Sequence, residues 1–361
     1  MRHARIKNEP MEAGYYHAIC RTVGQSFYFE DDAEKDRLLL WLEKAMDFCG
    51  VEVRAWCVMS NHVHLLVKVP PHADAAKISD EELERRMKCL YLPKRYAAIL
   101  KDWEDWRRID GNDHRVVAAR NRLRVRMNDI SWFMKTFKQA VAQDYNERHH
   151  HSGSIWGGAR FKSVFLEGSL AVQLSVAAYI HLNPVRAGIV DAAEHYRWSS
   201  WGDACTRPAS RSRRSLSLLY NELLSSSGRL NWEQAKAKLS AIHALARAQD
   251  GDLSEADVEA LFAANGLIPN PKSERPAPPL PAVKVGKASA PPLATLLASK
   301  SSALTAAPIF GTPTFIQRFF ETSSCRFAER RQRKMPAAVT ALASTPLCIL
   351  NDSRLGRNAK A

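Results

Sequence analysis

The sequence predicts an α+β fold in the order β-α-β-β-α-β, the ferredoxin-like arrangement of a split β-α-β unit. Three observations carry this reading. Residues 51–59 and 62–69 alternate in period 2 as paired strands do, and residues 32–50 carry an apolar stripe at helical spacing ahead of them. A second such stripe spans residues 130–149 and precedes a short aromatic and β-branched run ending at Phe165.

Each element has its own signal. Residues 15–22 are aromatic and β-branched, a first strand, and Asp31 and Asp32 then supply capping acids for a helix that runs to Gly50. Its stripe is Leu38, Leu42, Ala45, Met46 and Cys49. The next strand alternates Val51, Val53, Ala55 and Cys57 with Glu52, Arg54, Trp56 and Val58, and only Ser60-Asn61 separates it from the following one. Residues 70–128 read as a polar, mostly helical excursion that interleaves Arg and Lys with Tyr91, Tyr96, Trp103 and Trp106. Such a mixture can track a nucleic-acid strand by charge and stacking, but aromatics packing helix on helix is the more economical reading. The helix at 130–149 turns Trp132, Phe133, Phe137 and Val141 inward and Lys135 and Lys138 outward, and a last strand is expected from Trp156 to Phe165 with its bases on one side.

Beyond Trp201 the pattern weakens. Short helices are expected over residues 214–266, from Leu216, Leu223, Trp232, Leu239, Ala246 and Leu261. Residues 269–308 are dense in Pro, Ala, Ser and Lys and read as an extended linker. An apolar helical stretch at 310–320 precedes Arg326, Arg330, Arg331, Arg333 and Lys334, either a solvated face or a tethered nucleic-acid contact. The expected organisation is a catalytic domain at 10–202, a small helical appendage at 203–268, a linker at 269–308 and a basic C-terminal segment at 309–361.

Composition narrows the partners. Among 361 residues, 52 Lys and Arg outnumber 38 Asp and Glu, a surplus of 14 that attracts polyanions, nucleic acid foremost. No segment approaches the ~20 consecutive apolar residues of a membrane span, and residues 1–10 are charged. A cytoplasmic, nucleoid-associated protein with no membrane partner is expected. The seven cysteines are scattered without C-x-x-C spacing, so neither a disulfide framework nor a zinc knuckle is indicated.

Two places carry chemistry. His62 and His64 are two residues apart on one strand and project from the same face, opposite Val63, Leu65, Val67 and Val69. Imidazoles so placed can share a metal ion, and the alternation leaves them open to solvent or ligand. The second place is a helix over residues 172–183, expected to stop near Asn183 because Pro184 follows. Tyr179 and Asn183 stand four apart on one face, where the negative end of the helix favours a cation. His181 points elsewhere and reads as structural or phosphate-contacting, while the run His149-His150-His151 before Ser152-Gly153 is most simply a polar turn.

These residues resemble the single-tyrosine HUH transposases, and among them the repeat-associated tyrosine transposases. The resemblance rests on Asn61-His62-Val63-His64, on Trp132-Phe133-Met134-Lys135, on Trp156 followed by Arg160-Phe161-Lys162-Ser163, and on the run from Tyr179 through Asn183-Pro184-Val185-Arg186 to Gly188. It covers residues 10–202. It implies a metal-dependent nuclease and strand transferase acting on single-stranded or hairpin DNA through a 5′-phosphotyrosine intermediate. It also implies Tyr179 as nucleophile and His62, His64 and Asn183 as ligands of Mg²⁺ or Mn²⁺. Asn183 stands where the family often has Gln, a longer side chain. Arg160, Lys162 and Arg186 are implied as phosphate contacts, and the resemblance leaves monomer and homodimer open.

Two rival readings differ in class. A DNA-binding protein that keeps this fold without transposing would recognise repetitive palindromic hairpins, although the intact His62, His64 and Tyr179 argue against simple decay. A zinc hydrolase would need further ligands downstream. The histidines beyond the 149–151 run are only His181, His195 and His243, none in a zinc spacing.

Overall fold

The computed structural model describes residues 6–111, 113–158, 161–224, 231–248, 309–322, 339–341 and 348–350. Its elements are β1 (Gly14–Arg21), α1 (Asp32–Cys49), β2 (Glu52–Val58), β3 (His62–Val69), α2 (Asp80–Leu90), α3 (Pro93–Asp110), α4 (His114–Arg124), α5 (Ile130–Arg148), β4 (Lys162–Leu166), α6 (Leu170–Arg186), α7 (Ser200–Thr206), α8 (Arg211–Leu224), α9 (Trp232–Ala248), β5 (Ile309–Gly311), α10 (Pro313–Thr322), β6 (Val339–Ala341) and β7 (Cys348–Leu350). The fold is α+β, and the succession β1-α1-β2-β3-α5-β4 is the expected β-α-β-β-α-β with α2, α3 and α4 inserted after β3. No described helix is long and apolar enough to cross a membrane. The chain divides into two compact units, one of Arg5–Val53 and Val58–Lys162, the other of Met1–Ala4, Arg54–Cys57 and Ser163–Ala361.

In the first unit β1 and β3 run antiparallel, with His17 opposite Leu66, Ile19 opposite His64 and Arg21 opposite His62. Helix α1 packs against α2 and α5, and its stripe of Leu38, Leu42, Ala45, Met46 and Cys49 is buried throughout. Asp31 holds the N-cap position of α1 without a side-chain bond, whereas Asp129 caps α5 by accepting from the Ser131 and Trp132 N–H groups at 2.7 and 2.9 Å. Of the aromatics in the inserted segment, Trp103 is buried with the Arg120 guanidinium over its ring, while Tyr91, Tyr96 and Trp106 are half-buried, Trp106 under Arg115.

Two expectations for this unit are corrected. Lys138 turns inward, buried under Trp156, where its ammonium donates to the Gly158 carbonyl at 3.2 Å. The last strand is shorter than expected and begins only at Lys162. Trp156 instead forms an isolated antiparallel bridge with Thr22, and the Gly157 N–H donates to Arg21 O at 2.8 Å. A Cβ at Gly157 would meet the Thr22 carbonyl at 2.7 Å, so glycine permits this approach and interrupts the strand there.

In the second unit β4 pairs parallel with β5, β5 antiparallel with β7, and β6 antiparallel with β7. Helix α6 packs against α9, and α7 against α8, around a core of Leu174, Ala178, Leu182, Trp201, Leu239 and Ile242. Arg54, itself buried, donates to Gln173 Oε1 at 2.8 Å, and the Trp56 N–H donates to Ser200 Oγ at 3.0 Å. The expected helix at 310–320 starts later: Phe310 lies in β5, and Pro313 opens α10. The linker at 269–308, Leu261 and the basic cluster from Arg326 to Lys334 fall outside the described residues.

Helix α6 does not stop at Asn183, contrary to expectation, but continues through Pro184 to Arg186. Proline removes the N–H that would serve the Ile180 carbonyl. The Asn183 side chain compensates, its Nδ2 donating to Tyr179 O at 2.8 Å and to Ile180 O at 3.4 Å. Proline in the last turn therefore leaves fewer carbonyls unsatisfied than the general rule assumes.

Candidate active site

The first unit presents a face built from β1 and β3. Their register puts His17, Ile19 and Arg21 on the same side as Leu66, His64 and His62, so the histidine pair stands beside Arg21 at one end and His17 at the other. The turn ahead of His62 is held in place. The Thr22 N–H donates to Asn61 O at 2.9 Å, the Thr22 hydroxyl donates to Ser26 O at 2.7 Å, and Asn61 Nδ2 donates to Gln25 O at 3.1 Å.

That last bond fixes the Asn61 amide. Its Oδ1 faces His62 Nδ1 at 2.6 Å, and because a carbonyl oxygen only accepts, His62 Nδ1 carries the proton and Nε2 is left bare. His62 and His64 have ring centroids 4.9 Å apart. Burial, and then the Arg21 charge, depresses His62 to about 4. His64 is held well below its ordinary value by burial, followed by His17, His62 and Arg21. Both rings are neutral at neutral pH, the form that ligates metal.

One expectation about the pair fails. His62 is half-buried, but His64 is only 1% exposed, because β3 is covered on both faces. His17, wholly buried, places its Nε2 3.0 Å from His64 Nδ1. Reading the sequence missed His17. Its only signal was a polar residue inside the otherwise apolar run of the first strand. Lys162 is exposed at the start of β4 and belongs to this same unit; burial and the Arg21 charge lower its pKa.

The second unit holds the other candidates. Tyr179 and Asn183 are both half-buried on one face of α6, flanked by buried Ala178, Ile180 and Leu182. The exposed Arg186 continues that stripe, its guanidinium 5.2 Å from the Tyr179 ring centre and donating to Tyr179 O at 3.3 Å. Arg160 lies outside the described residues.

His181 faces away from this stripe into the core, as expected of a structural residue. Its Nδ1 meets His243 Nε2 at 3.0 Å and its Nε2 meets Ser200 Oγ at 2.8 Å. Burial keeps both rings neutral, with His243 pushed down to about 3. The run at 149–151 is a turn: His149 bonds Glu34 at 2.9 Å and His151 bonds Asn146 at 3.0 Å.

The donor set fits a divalent cation in part. His62 offers a bare Nε2 beside a second neutral imidazole. Among the described residues no three His, Cys, Asp or Glu side chains converge. In the second unit Asn183 spends only its Nδ2 on the helix carbonyls.

Comparison with known proteins gives a family for one segment. Residues 11–86, which include the histidine strand, match the model of the family described as "Transposase IS200 like". The matched segment contains the first of the four motifs, Asn61-His62-Val63-His64, and supports a transposase-type, DNA-binding function. A solved structure, "Structure of the REP associates tyrosine transposase bound to a REP hairpin", is similar at 15% identity and a TM-score of 0.34, covering 59% of this chain and 90% of that one. No curated protein matches the chain.

Proposed function

We propose that this protein is a single-stranded DNA nuclease and strand transferase of the tyrosine HUH type, acting on hairpin DNA. The observation that carries the reading is the match of residues 11–86 to IS200-like transposases, because that segment contains the two neutral imidazoles of His62 and His64. The half-buried Tyr179 with Arg186 over its ring supports it as the second component.

Tyr179 Oη attacks the scissile phosphorus. The new Oη–P bond replaces the P–O3′ bond, leaving the 5′ phosphate on the tyrosine and the departing 3′ oxygen as a hydroxyl after it takes up a proton. The phenolic proton passes to solvent or a water-held base. Attack by a 3′ hydroxyl on the phosphotyrosine reverses the step and joins DNA, with no net loss of phosphodiester bonds. Mg²⁺ or Mn²⁺, held by His62, His64 and the Asn183 amide oxygen, would supply positive charge to polarise the phosphate. Arg186 places a fixed charge beside the phenol, and Arg160 and Lys162 hold flanking phosphates.

The test is incubation of the full chain with a labelled library of single-stranded hairpins, with and without Mn²⁺, followed by denaturing electrophoresis. A metal-dependent covalent adduct that disappears in Tyr179→Phe is expected. Tight hairpin binding with no adduct overturns the enzyme in favour of a binding protein.

A further inference from the structure

His62 owes its bare Nε2 to a neighbour whose orientation is fixed, but His64 faces another imidazole, and either ring can donate. The contact is a hydrogen bond and not a stack. The ring centres of His17 and His64 are 5.2 Å apart while the nitrogens are 3.0 Å apart, so the two nitrogens lie close to the line between the centres. Head-on nitrogens at this spacing share one proton between them.

The direction follows from what flanks His64 along the strand. His17 stands opposite Leu66 and Arg21 opposite His62, while His64 stands opposite Ile19 between them. His64 Nδ1 is turned to His17, and Arg21 stands at the other end of the same face. A positive charge there favours an electron pair over an N–H at Nε2. The contact is buried, with His17 and His64 at 0% and 1% exposure, and a hydrogen bond in such surroundings is stronger than in water.

We propose that His17 is a positioning residue for the histidine pair: it accepts the proton of His64 Nδ1 and so leaves His64 Nε2 bare and aimed as a metal donor. His17 touches neither metal nor DNA. It does for His64 what Asn61 does for His62, so each donor ring has an acceptor behind it. The tautomer stands on the hydrogen bond and the Arg21 charge, whereas its purpose rests on the proposed reading of His64 as a ligand.

The experiment is long-range ¹H–¹⁵N correlation of the imidazoles in the metal-free full chain, with the His64 signals assigned by their loss in His64→Gln, together with Mn²⁺ titration by electron paramagnetic resonance. The wild type is expected to show His64 protonated at Nδ1 and bare at Nε2. In His17→Leu the single tautomer is lost and Mn²⁺ affinity falls about 10- to 100-fold. His17→Gln restores both, because an amide oxygen can accept in place of the ring nitrogen. A wild-type His64 protonated at Nε2 overturns the proposal, and that measurement stands even where His17→Leu fails to fold. Unchanged tautomer and Mn²⁺ affinity in a folded His17→Leu also overturn it. The expected tautomer in a wild type that binds no Mn²⁺ overturns the ligand reading and its purpose for His17, while upholding the bond.

Discussion

Removing the Arg148 guanidinium, as in Arg148→Met, opens the polar seam between α1 and α5. Arg148 donates to both Glu34 oxygens at 2.5 and 2.7 Å and to Asp144 at 2.9 Å. The two carboxylates are 8% exposed, so the loss leaves them short of partners away from water. Three charge-assisted hydrogen bonds at about 1.5–3 kcal/mol each set an upper bound. The arginine side chain is itself 33% exposed, and His149 and Arg37 remain as partners of Glu34 and Asp144, which brings the expected cost to about 2–3 kcal/mol at pH 7.

The pH dependence gives this expectation a second handle. Burial pushes the Glu34 and Asp144 carboxyls up, but hydrogen bonds from Arg148 with His149, and from Arg37 with Arg148, outweigh it and hold both below the ordinary range. A carboxyl lowered by folding stabilises above its unfolded pKa, near 4, and that contribution is lost as pH falls through the folded value. In Arg148→Met burial has less to oppose it, the folded pKa values rise, and the deficit is largest at pH 7 and narrows toward pH 4.5. Urea unfolding at both pH values measures it. A deficit below about 0.5 kcal/mol at pH 7, or one equal at the two pH values, refutes the reasoning.

Two further substitutions probe the second unit. In Gly202→Ala the new Cβ would stand 2.1 Å from the Tyr196 carbonyl oxygen, a backbone atom with no flexible end to yield, so a loss above about 2 kcal/mol is expected in thermal unfolding. Asn183→Ala is expected to cost about 1 kcal/mol by stripping the donor from the Tyr179 and Ile180 carbonyls, and less in a Pro184→Ala background, where a backbone N–H is restored; a double-mutant cycle in urea reads the coupling.

The order of elements was legible because α1 and α5 each bury one face, which writes itself as period, and because the β2 and β3 segments are apolar runs parted by a short turn. What escaped reading depends on partners distant in sequence. The alternation around His62 and His64 suggested an open face, but His64 is buried there, and the neighbouring strand β1 brings His17, 47 residues earlier, against it. His181 read as structural from its helix face alone, yet its partner His243 lies 62 residues downstream in α9. Lys138 looked outward by helical spacing and turns inward because Trp156 and Gly158 fold back over α5. Pro184 marked a helix end by a sound rule, and the exception came from a side chain one position before it. Of the candidate site, the histidine strand and the tyrosine face were readable as local patterns, while the acceptors that orient the rings were not.

The measurement that bears most directly on the proposed chemistry is mass-spectrometric mapping of the protein–DNA adduct after nuclease and protease digestion, paired with polymerase extension of the released strand. A nucleotide carried through a 5′ phosphate on Tyr179, with an extendable 3′ hydroxyl on the released strand, is the result expected. A nucleotide on any other residue, or a 3′-linked one, contradicts the account.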